Sequence, residues 1–226
     1  MLTAIIVAAG RSRRAGFDKI VARIAEKPVI VHAVDAFEGA PSVTEILIVT
    51  RGDRLDELKN LLRGRKKVKD VIAGGEHRQD SVKAGLAAVR QDARYVAVHD
   101  AARPLVTQEQ IESVFLAACD HGAAALAEPI TDTLKRVDAD LRVIESIDRR
   151  QLFAMQTPQI FARDLLEEAY RAVFAKGLQV TDEVSAVEHL GKPVRLVANA
   201  EPNFKITFER DLPVADFVMR ARQSAA

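Results

Sequence analysis

Two patterns of apolar and polar positions alternate along this chain of 226 residues. Short apolar runs rich in β-branched residues, such as Ile5-Ile6-Val7, are typical of buried strands. Longer segments with apolar residues at helical spacing follow most of these runs. Strands that alternate with helices in this way predict an α/β fold with a mainly parallel twisted sheet, right-handed crossovers and helices on both faces.

The pattern assigns most of the chain to a strand or a helix. Predicted strands cover residues 3–8, 46–50, 68–73, 95–99, 123–127, 152–155, 194–197 and 204–207. Predicted helices cover residues 28–37, 54–62, 81–89, 108–121, 163–175, 182–190 and 212–222. The fourth of these helices carries a capping box, with Thr107 as N-cap and Gln110 three residues later. Since no repeat or long linker divides the sequence, we expect a single domain over residues 1–226.

The alternation is interrupted between about residues 130 and 149. Two half-polar strands, residues 133–137 and 141–145, flank Asp138-Ala139-Asp140, a sequence typical of a hairpin turn. Two strands alone are only marginally stable in water. We therefore expect this hairpin to lean on another surface, such as a second subunit.

Composition and charge narrow the functional class. Hydrophobic residues make up 48% of the chain and charged residues 29%, as in ordinary globular proteins. The formal net charge of +1 gives no reason to expect a nucleic-acid or membrane partner. Cys119 is the single cysteine, which excludes an internal disulfide, and we expect it to be a buried packing residue of a helix. No apolar run has the length of a membrane span and no secretory signal is recognisable, so we expect a cytoplasmic protein.

The first predicted strand leads into a loop of small residues and arginines, Ala8-Ala9-Gly10-Arg11-Ser12-Arg13-Arg14-Ala15-Gly16, with Lys19 shortly after it. Small side chains let backbone N–H groups approach an anion, and arginine and lysine side chains bind phosphate charge. The glycine spacing matches neither the Rossmann fingerprint G-x-G-x-x-G nor the Walker A loop G-x-x-x-x-G-K-[ST]. The segment therefore favours a phosphate site of another kind, with a solvated basic run as the alternative.

Two further polar loops follow predicted strands and are expected at the same edge of the sheet. One begins with Gly74-Gly75, and the other is His99-Asp100-Ala101-Ala102-Arg103-Pro104. In open α/β sheets, ligands bind outside the carboxyl ends of the strands. Gly74-Gly75 exposes backbone groups suited to reading the edge of a base, with a plain turn as the alternative. Asp100 is a candidate Mg²⁺ ligand, and the alternative is a structural cap held by Arg103.

A lysine inside an apolar segment marks the C-terminal part of the chain. Lys205 lies in Asn203-Phe204-Lys205-Ile206-Thr207, and its burial is costly without an anionic partner. The alternative is an edge-strand lysine that faces solvent. The five histidines lack the spacing of a zinc site, and the sequence contains no nucleophile elbow.

Together these motifs resemble the 2-C-methyl-D-erythritol 4-phosphate cytidylyltransferase family, whose members use CTP in the non-mevalonate isoprenoid pathway. The resemblance runs from residue 3 to about residue 217, and its most specific marker is the string His99-Asp100-Ala101-Ala102-Arg103-Pro104. The other markers are Ala8-Ala9-Gly10 with Arg14, Gly74-Gly75 with Arg78 and Asp80-Ser81, Asp132-Thr133-Leu134-Lys135-Arg136, Asp148-Arg149, Gln156-Thr157-Pro158-Gln159, Thr181-Asp182-Glu183 and Lys205. The chain departs from the family pattern at Asp18-Lys19-Ile20, where Pro-Lys-Gln is usual.

The resemblance implies a Rossmann-like nucleotidyltransferase fold that transfers CMP from CTP to 2-C-methyl-D-erythritol 4-phosphate with Mg²⁺ or another divalent cation. It also implies a homodimer formed through the hairpin arm, which delivers Thr133 and Arg149 to the neighbouring crevice. The implied catalytic residues are Arg14, Lys19 and Lys205. The implied CTP-binding residues are Ala8, Ala9, Gly10, Gly75, Arg78, Ser81 and Asp100, and Asp100 is also the implied metal ligand. The implied acceptor-binding residues are Arg103, Thr133, Arg149 and Thr157.

Other functions stay open at this point. Ribitol-5-phosphate cytidylyltransferases share most of the loop pattern, but they tend to carry Ser-Val where this chain has Ala101-Ala102. A nucleotidyltransferase for a sugar 1-phosphate is a broader alternative. A catalytically silent nucleotide-binding regulator is disfavoured because Lys19, Asp100 and Lys205 are all present. A pyridine-nucleotide dehydrogenase is the weakest alternative, since the glycine spacing does not fit.

Overall fold

A computed structural model describes residues 1–10 and 16–225 of the chain. The strands are β1 (Leu2–Val7), β2 (Arg23–Ile24), β3 (Lys27–Pro28), β4 (Val43–Thr50), β5 (Val68–Ala73), β6 (Tyr95–Asp100), β7 (Ala123–Pro129), β8 (Leu134–Val137), β9 (Val143–Ile147), β10 (Phe153–Ala162) and β11 (Arg195–Ala198). The α-helices are α1 (Val29–Gly39), α2 (Leu55–Leu61), α3 (Arg78–Ala88), α4 (Gln108–His121), α5 (Arg163–Ala175), α6 (Glu183–Glu188) and α7 (Asp211–Ala225).

A seven-stranded sheet with the order β11-β7-β10-β6-β1-β4-β5 forms the centre of the fold. Its ladders are parallel except for the two that β10 makes with β6 and β7. The predicted mainly parallel α/β sheet is therefore confirmed. From β1 the chain proceeds to β4 and β5 on one side, and β6 then adds to the other side of β1. Such a reversal of strand order opens a crevice at the carboxyl ends of the two strands concerned.

The central strands feed two hydrophobic layers, because successive residues of a strand point to opposite faces of the sheet. Ala4 and Ile6 pack with residues of α1 and α4, whereas Ile5 packs with residues of α3 and α5. Helices thus cover both faces, as predicted. A third apolar group, which includes Leu105 and Ile206, holds α7 against the loop that follows β6. In the described part of the chain, no helix is long and apolar enough to cross a membrane.

The capping box of α4 is present as predicted. The Gln110 N–H donates to Thr107 Oγ1 at 3.2 Å, and the Thr107 N–H donates to Gln110 Oε1 at 3.0 Å. The expectation that Cys119 packs inside the protein is wrong, because this residue of α4 is exposed.

Two strand predictions also need correction. The predicted strand 152–155 is the beginning of β10, which continues to residue 162. Residues 204–207 do not form a strand. The Ile206 N–H donates to Ala102 O at 2.8 Å and the Thr207 N–H donates to Asp211 Oδ2 at 2.7 Å, so this segment pairs with a loop and a helix start instead of a sheet.

The hairpin predicted between residues 130 and 149 is confirmed. Strands β8 and β9 form a separate antiparallel two-stranded sheet. Three apolar side chains of the hairpin face solvent in the single chain: Leu141 in its turn is 80% exposed, and Val143 and Ile144 of β9 are 63% and 61% exposed. Such exposure on a sheet of two strands is typical of a surface that packs against another body.

Candidate active site

Three polar loops leave the sheet at the same edge, as the sequence predicts. The register places Val7 at the end of β1 opposite Asp100 at the end of β6. The Ala8 N–H donates to Val49 O at 2.7 Å, and the Gly74 N–H donates to Thr50 O at 2.6 Å. The loops after β1, β5 and β6 therefore begin side by side.

A cleft of about 870 Å³ lies on the β1–β4–β5 side of this edge. It is lined by Ala9, Arg51, Gly52, Asp53, Gly74, Gly75 and Glu76. Gly74 and Gly75 approach the start of α3 so closely that a side chain has no room. A Cβ on Gly74 would lie 2.5 Å from Ser81 Oγ, and one on Gly75 would lie 2.3 Å from Asp80 Cβ. The two glycines therefore let the loop and α3 close one wall of the cleft.

The carboxylate of Asp100 lies between two cations. Lys205 Nζ is 2.7 Å from Asp100 Oδ2, and Arg78 Nε is 3.0 Å from Asp100 Oδ1. Burial acts to raise the pKa of Asp100, but the positive charges of Arg78 and Lys205 outweigh it and hold that pKa far below its usual value. Asp100 is therefore an anion at neutral pH, and Lys205 has the anionic partner that its sequence context requires.

The other end of the Arg78 side chain binds a carboxylate that sequence reasoning did not single out. Arg78 Nη1 and Nη2 donate to Glu183 Oε1 and Oε2 at 2.6 and 2.9 Å. Burial opposes the charge of Arg78, but Glu183 and Asp100 outweigh it and raise the pKa of the guanidinium well above its usual value. Arg78, predicted to bind CTP, is thus held between two carboxylates at the edge of the crevice.

A buried chain of hydrogen bonds supports Asp100 from behind. The Asp100 N–H donates to Thr157 Oγ1 at 3.1 Å, and the Thr157 hydroxyl lies 3.0 Å from His99 Nδ1. His99 Nε2 lies 3.1 Å from the carbonyl oxygen of Arg103, which assigns the ring proton to Nε2. Burial lowers the pKa of His99 to about 4, so its ring is neutral at neutral pH. The structure thus gives Thr157 and His99 positions that support Asp100.

Arg103 holds the segment that carries Lys205. Its Nη1 donates to Asn203 O at 2.8 Å, and its Nη2 lies 3.3 Å from Met155 O. Asn203 Nδ2 in turn donates to Gln156 Oε1 at 3.1 Å and to Thr157 O at 2.9 Å. These buried amide groups tie residue 203 to β10, two positions before Lys205.

The loop that carries Lys19 is held in place by the two neighbours of that residue, Asp18 and Ile20. Arg54 lies 2.9 Å from Asp18 Oδ2 and 2.8 Å from Glu57 Oε2, and it is 6% exposed. The Ile20 N–H donates to Asp18 Oδ1 at 3.2 Å, and the Ile20 side chain is buried in the core. The departure from the family pattern at Asp18 and Ile20 thus gives this loop an ion pair and an apolar anchor. Arg14 lies outside the described residues.

The two predicted acceptor-binding residues of the hairpin lie on the surface of the single chain. Thr133 and Arg149 are both exposed. The Arg149 guanidinium donates to the carbonyl oxygen of Thr131 within the arm. Their contact with a crevice stays a prediction.

Two residues of the site, Glu183 and Gln156, have no role among those predicted from the sequence. Both lie in strings that carry the family resemblance. A usable signal was available, because a polar residue next to buried apolar neighbours has to be satisfied by a partner. The partner itself, Arg78 for Glu183, lies 105 residues away and follows only from the fold.

The donor set constrains any metal. Mg²⁺ typically takes one or two carboxylates and completes its shell with phosphate oxygens and water. Among residues 1–10 and 16–225, no three His, Cys, Asp or Glu side chains gather as a metal site. The single carboxylate of Asp100 therefore fits a cation that arrives with a polyphosphate, and it does not fit a metal held by the protein alone.

Known proteins match this chain over almost its full length. The family model described as 2-C-methyl-D-erythritol 4-phosphate cytidylyltransferase matches residues 2–221. A relative of that name from Pelotomaculum thermopropionicum is 40% identical over 229 residues, which cover 98% of this chain and 95% of the relative. Another from Symbiobacterium thermophilum is 41% identical over 226 residues, with the same coverage of 98% and 95%.

The solved structures agree in fold. The crystal structure of 4-diphosphocytidyl-2C-methyl-D-erythritol synthase from Anaerococcus prevotii is 26% identical and superposes with a TM-score of 0.87, covering 97% of this chain and 96% of that chain. The 2-C-methyl-D-erythritol 4-phosphate cytidylyltransferase from Thermus thermophilus is 29% identical, with a TM-score of 0.81 and coverage of 96% and 98%. With its Rossmann-like sheet and its match over residues 2–221, this chain belongs to the 2-C-methyl-D-erythritol 4-phosphate cytidylyltransferase family of enzymes.

Proposed function

We propose that this chain transfers CMP from CTP to 2-C-methyl-D-erythritol 4-phosphate and releases pyrophosphate. The observation that carries the proposal is the meeting of Asp100, Arg78 and Lys205 at the end of β6, beside the cleft lined by Ala9, Gly74 and Gly75. Fixed cations beside a nucleotide-sized cleft suit a reaction between two polyanions. Membership of the family supports the same reaction.

CTP takes the cleft after β1 and β5 in this proposal. The loop Ala8-Ala9-Gly10 holds the triphosphate, with the backbone N–H groups of Ala9 and Gly10 directed at it, whereas the Ala8 N–H is bonded to Val49 O. Gly75 and Ser81 contact the cytosine. Backbone groups placed to bind the edge of cytosine lose their hydrogen-bond partners when another base takes its place. That loss gives the enzyme its preference for CTP.

The chemical step needs no general base. A phosphate monoester has its second pKa near 6, so the attacking oxygen belongs mostly to a dianion at pH 7. It attacks the α-phosphorus of CTP in line, a new P–O bond forms, and the bond to pyrophosphate breaks. Repulsion between the two substrates is the main obstacle. Arg14, Lys19 and Lys205 lower it by placing positive charge where negative charge develops.

Asp100 would hold Mg²⁺, or another divalent cation, together with the phosphate oxygens of CTP. When bound, such an ion supplies further positive charge at the transferred phosphate. The protein contributes the orientation of Asp100, which Thr157 fixes through the backbone and Arg78 fixes through the carboxylate. Thr157 and Arg103 also line the acceptor site in this proposal.

We further propose that residues 1–226 form one nucleotidyltransferase domain that acts as a homodimer in the cytoplasm. The arm at about residues 130–149 crosses to the partner, where Thr133 and Arg149 bind the acceptor. The solvent-facing Leu141, Val143 and Ile144 support this role, because exposed apolar side chains of this kind are typical of a surface that a partner would cover.

A substrate grid tests the reaction. Purified enzyme is incubated with each of the four NTPs and each of three acceptors, 2-C-methyl-D-erythritol 4-phosphate, ribitol 5-phosphate and a sugar 1-phosphate, while pyrophosphate release is measured. We expect strong release only for CTP with 2-C-methyl-D-erythritol 4-phosphate. A preference for ribitol 5-phosphate would contradict the proposal and favour the sister activity.

A further inference from the structure

Glu183 is an ionisable side chain that the proposed reaction leaves without a role. It stands at the start of α6 and is 0% exposed. Oε1 accepts hydrogen bonds from Arg78 Nη1 at 2.6 Å and from the Tyr170 hydroxyl at 2.9 Å, and Oε2 accepts one from Arg78 Nη2 at 2.9 Å. The Glu183 N–H donates to Gln159 Oε1 at 3.1 Å, so its backbone is also fixed. The cation bound to this buried carboxylate is Arg78, so the charge of Glu183 acts on the guanidinium of Arg78.

The bidentate grip determines how Arg78 meets Asp100. A guanidinium is planar and rigid, so two hydrogen bonds to one carboxylate fix its plane and direction. With Nη1 and Nη2 directed at Glu183, Nε is directed at Asp100 Oδ1 at 3.0 Å. The remaining oxygen, Oδ2, then faces Lys205. Charges of opposite sign thus alternate from Glu183 through Arg78 and Asp100 to Lys205.

We propose that Glu183 is a positioning residue for the transfer reaction, acting on Asp100 through the guanidinium of Arg78. In this arrangement Arg78 serves the active site mainly as a clamp on Asp100, because three of its nitrogens are committed to carboxylates. The inference deepens the proposed function, since it concerns how the same crevice is held. Without the charge of Glu183, Arg78 loses its fixed direction and Asp100 loses the partner that orients its carboxylate.

A double-mutant cycle tests this coupling. Rates of pyrophosphate release are measured for the wild type, Glu183→Gln, Asp100→Asn and the double variant, each divided by the folded fraction from circular dichroism. Glu183→Gln should lower kcat/KM by about tenfold to hundredfold, the usual scale for a lost supporting group or a misplaced one. In the Asp100→Asn background the same change should cost about twofold or less, because the group through which Glu183 acts is already impaired.

Glu45→Gln is the matched control. Glu45 is also a buried carboxylate, 6% exposed and 3.9 Å from Arg90, but it lies opposite Thr3 near the start of β1 and so at the other edge of the sheet. Its loss should leave kcat/KM per folded molecule unchanged. Tyr170→Phe provides a milder variant that keeps the charge of Glu183, and a smaller loss is expected that again disappears in Asp100→Asn.

Additive losses from Glu183→Gln and Asp100→Asn would overturn the proposal, and so would full activity per folded Glu183→Gln molecule. A crystal structure of Glu183→Gln gives a readout without turnover. Arg78 Nε should leave Asp100 Oδ1, and an unchanged Arg78–Asp100 contact would overturn the proposal even if the Asp100→Asn rates are too low to measure. If the wild-type enzyme were inactive in the substrate grid, the proposed function would be contradicted. The crystal structure of Glu183→Gln would still show whether Glu183 positions Arg78 and Asp100.

Discussion

Lys205 Nζ lies 2.7 Å from Asp100 Oδ2, although 105 residues separate them in the chain. Asp100 ends a buried strand, whereas Lys205 lies in an irregular segment before α7. The lysine side chain is 35% exposed, so its charge is shared between a buried carboxylate and the crevice. An incoming phosphate therefore finds a cation that is already oriented, which is the condition for electrostatic stabilisation without reorganisation.

The first prediction concerns that cation. Lys205→Ala should lower kcat/KM for the acceptor by about 10², the usual scale for losing one preorganised charged group. Binding of CTP, measured by calorimetry, should change little because the cleft of Gly74 and Gly75 is intact. Lys192→Ala serves as the control, since Lys192 is exposed and its substitution removes the same positive charge. Equal acceptor kinetics in the two variants would contradict a role for Lys205 in the crevice.

The second prediction addresses the metal. Asp100→Asn keeps the size of the side chain but removes the charge that a divalent cation prefers. We expect activity to fall by about 10² and the Mg²⁺ concentration for half-maximal rate to rise. Asp92→Asn removes a carboxylate that is paired with Arg90 on the surface, and it should behave like the wild type. Wild-type metal dependence in Asp100→Asn would leave Asp100 as a structural cap.

The third prediction concerns the support that the Thr157 hydroxyl gives to Asp100. Thr157→Val leaves the Asp100 N–H and His99 Nδ1 without their shared hydroxyl, and it should lower the free energy of unfolding by about 1–3 kcal/mol. Thr157→Ser keeps the hydroxyl and should retain most of that stability. Urea unfolding monitored by circular dichroism gives both values. A Thr157→Val protein as stable as Thr157→Ser would show that the hydroxyl does not support Asp100.

The fourth prediction tests the departure around Lys19. Lys19→Ala should lower kcat by about 10², the usual scale for losing one preorganised charged group, while Asp18 and Ile20 still anchor the loop. Lys27→Ala is the matched control, since Lys27 pairs with Asp35 on the surface. If Lys27→Ala is the more damaging variant in single-turnover measurements, Lys27 is the catalytic lysine and Lys19 is not.

The pattern of apolar residues was sufficient to place most of the helices and the strands of the main sheet, because the period of a strand or a helix is set by local sequence. The order of the strands and the antiparallel direction of β10 follow only from the fold. The pattern failed at residues 204–207, where β-branched and aromatic residues are apolar enough for a strand. Their backbone groups bond to Ala102 and to Asp211 instead. Tertiary hydrogen bonds of this kind override the local propensity for a strand, and the sequence near residue 204 does not predict them.

The candidate site was likewise predictable from the sequence only in part. Asp100 and the glycine loop were expected because both follow strands at one edge, so position alone points to them. The grip of Glu183 on Arg78 joins α6 to α3 across 105 residues, and no spacing rule predicts such a pair. Because an unpaired buried carboxylate is energetically costly, a buried Glu183 requires a cationic partner. Only the fold shows that this partner is Arg78.

The last prediction tests whether the hairpin arm completes a neighbouring crevice. Arg149→Ala should impair acceptor binding by removing a bidentate phosphate partner, with CTP binding near normal. Lys19→Ala chains and Arg149→Ala chains, each strongly impaired alone, are then mixed and allowed to exchange subunits. If the arm crosses over, a mixed dimer has one crevice with both defects and one with neither, so activity should return. Exchange confirmed by native mass spectrometry without recovered activity would show that each crevice is built from a single chain.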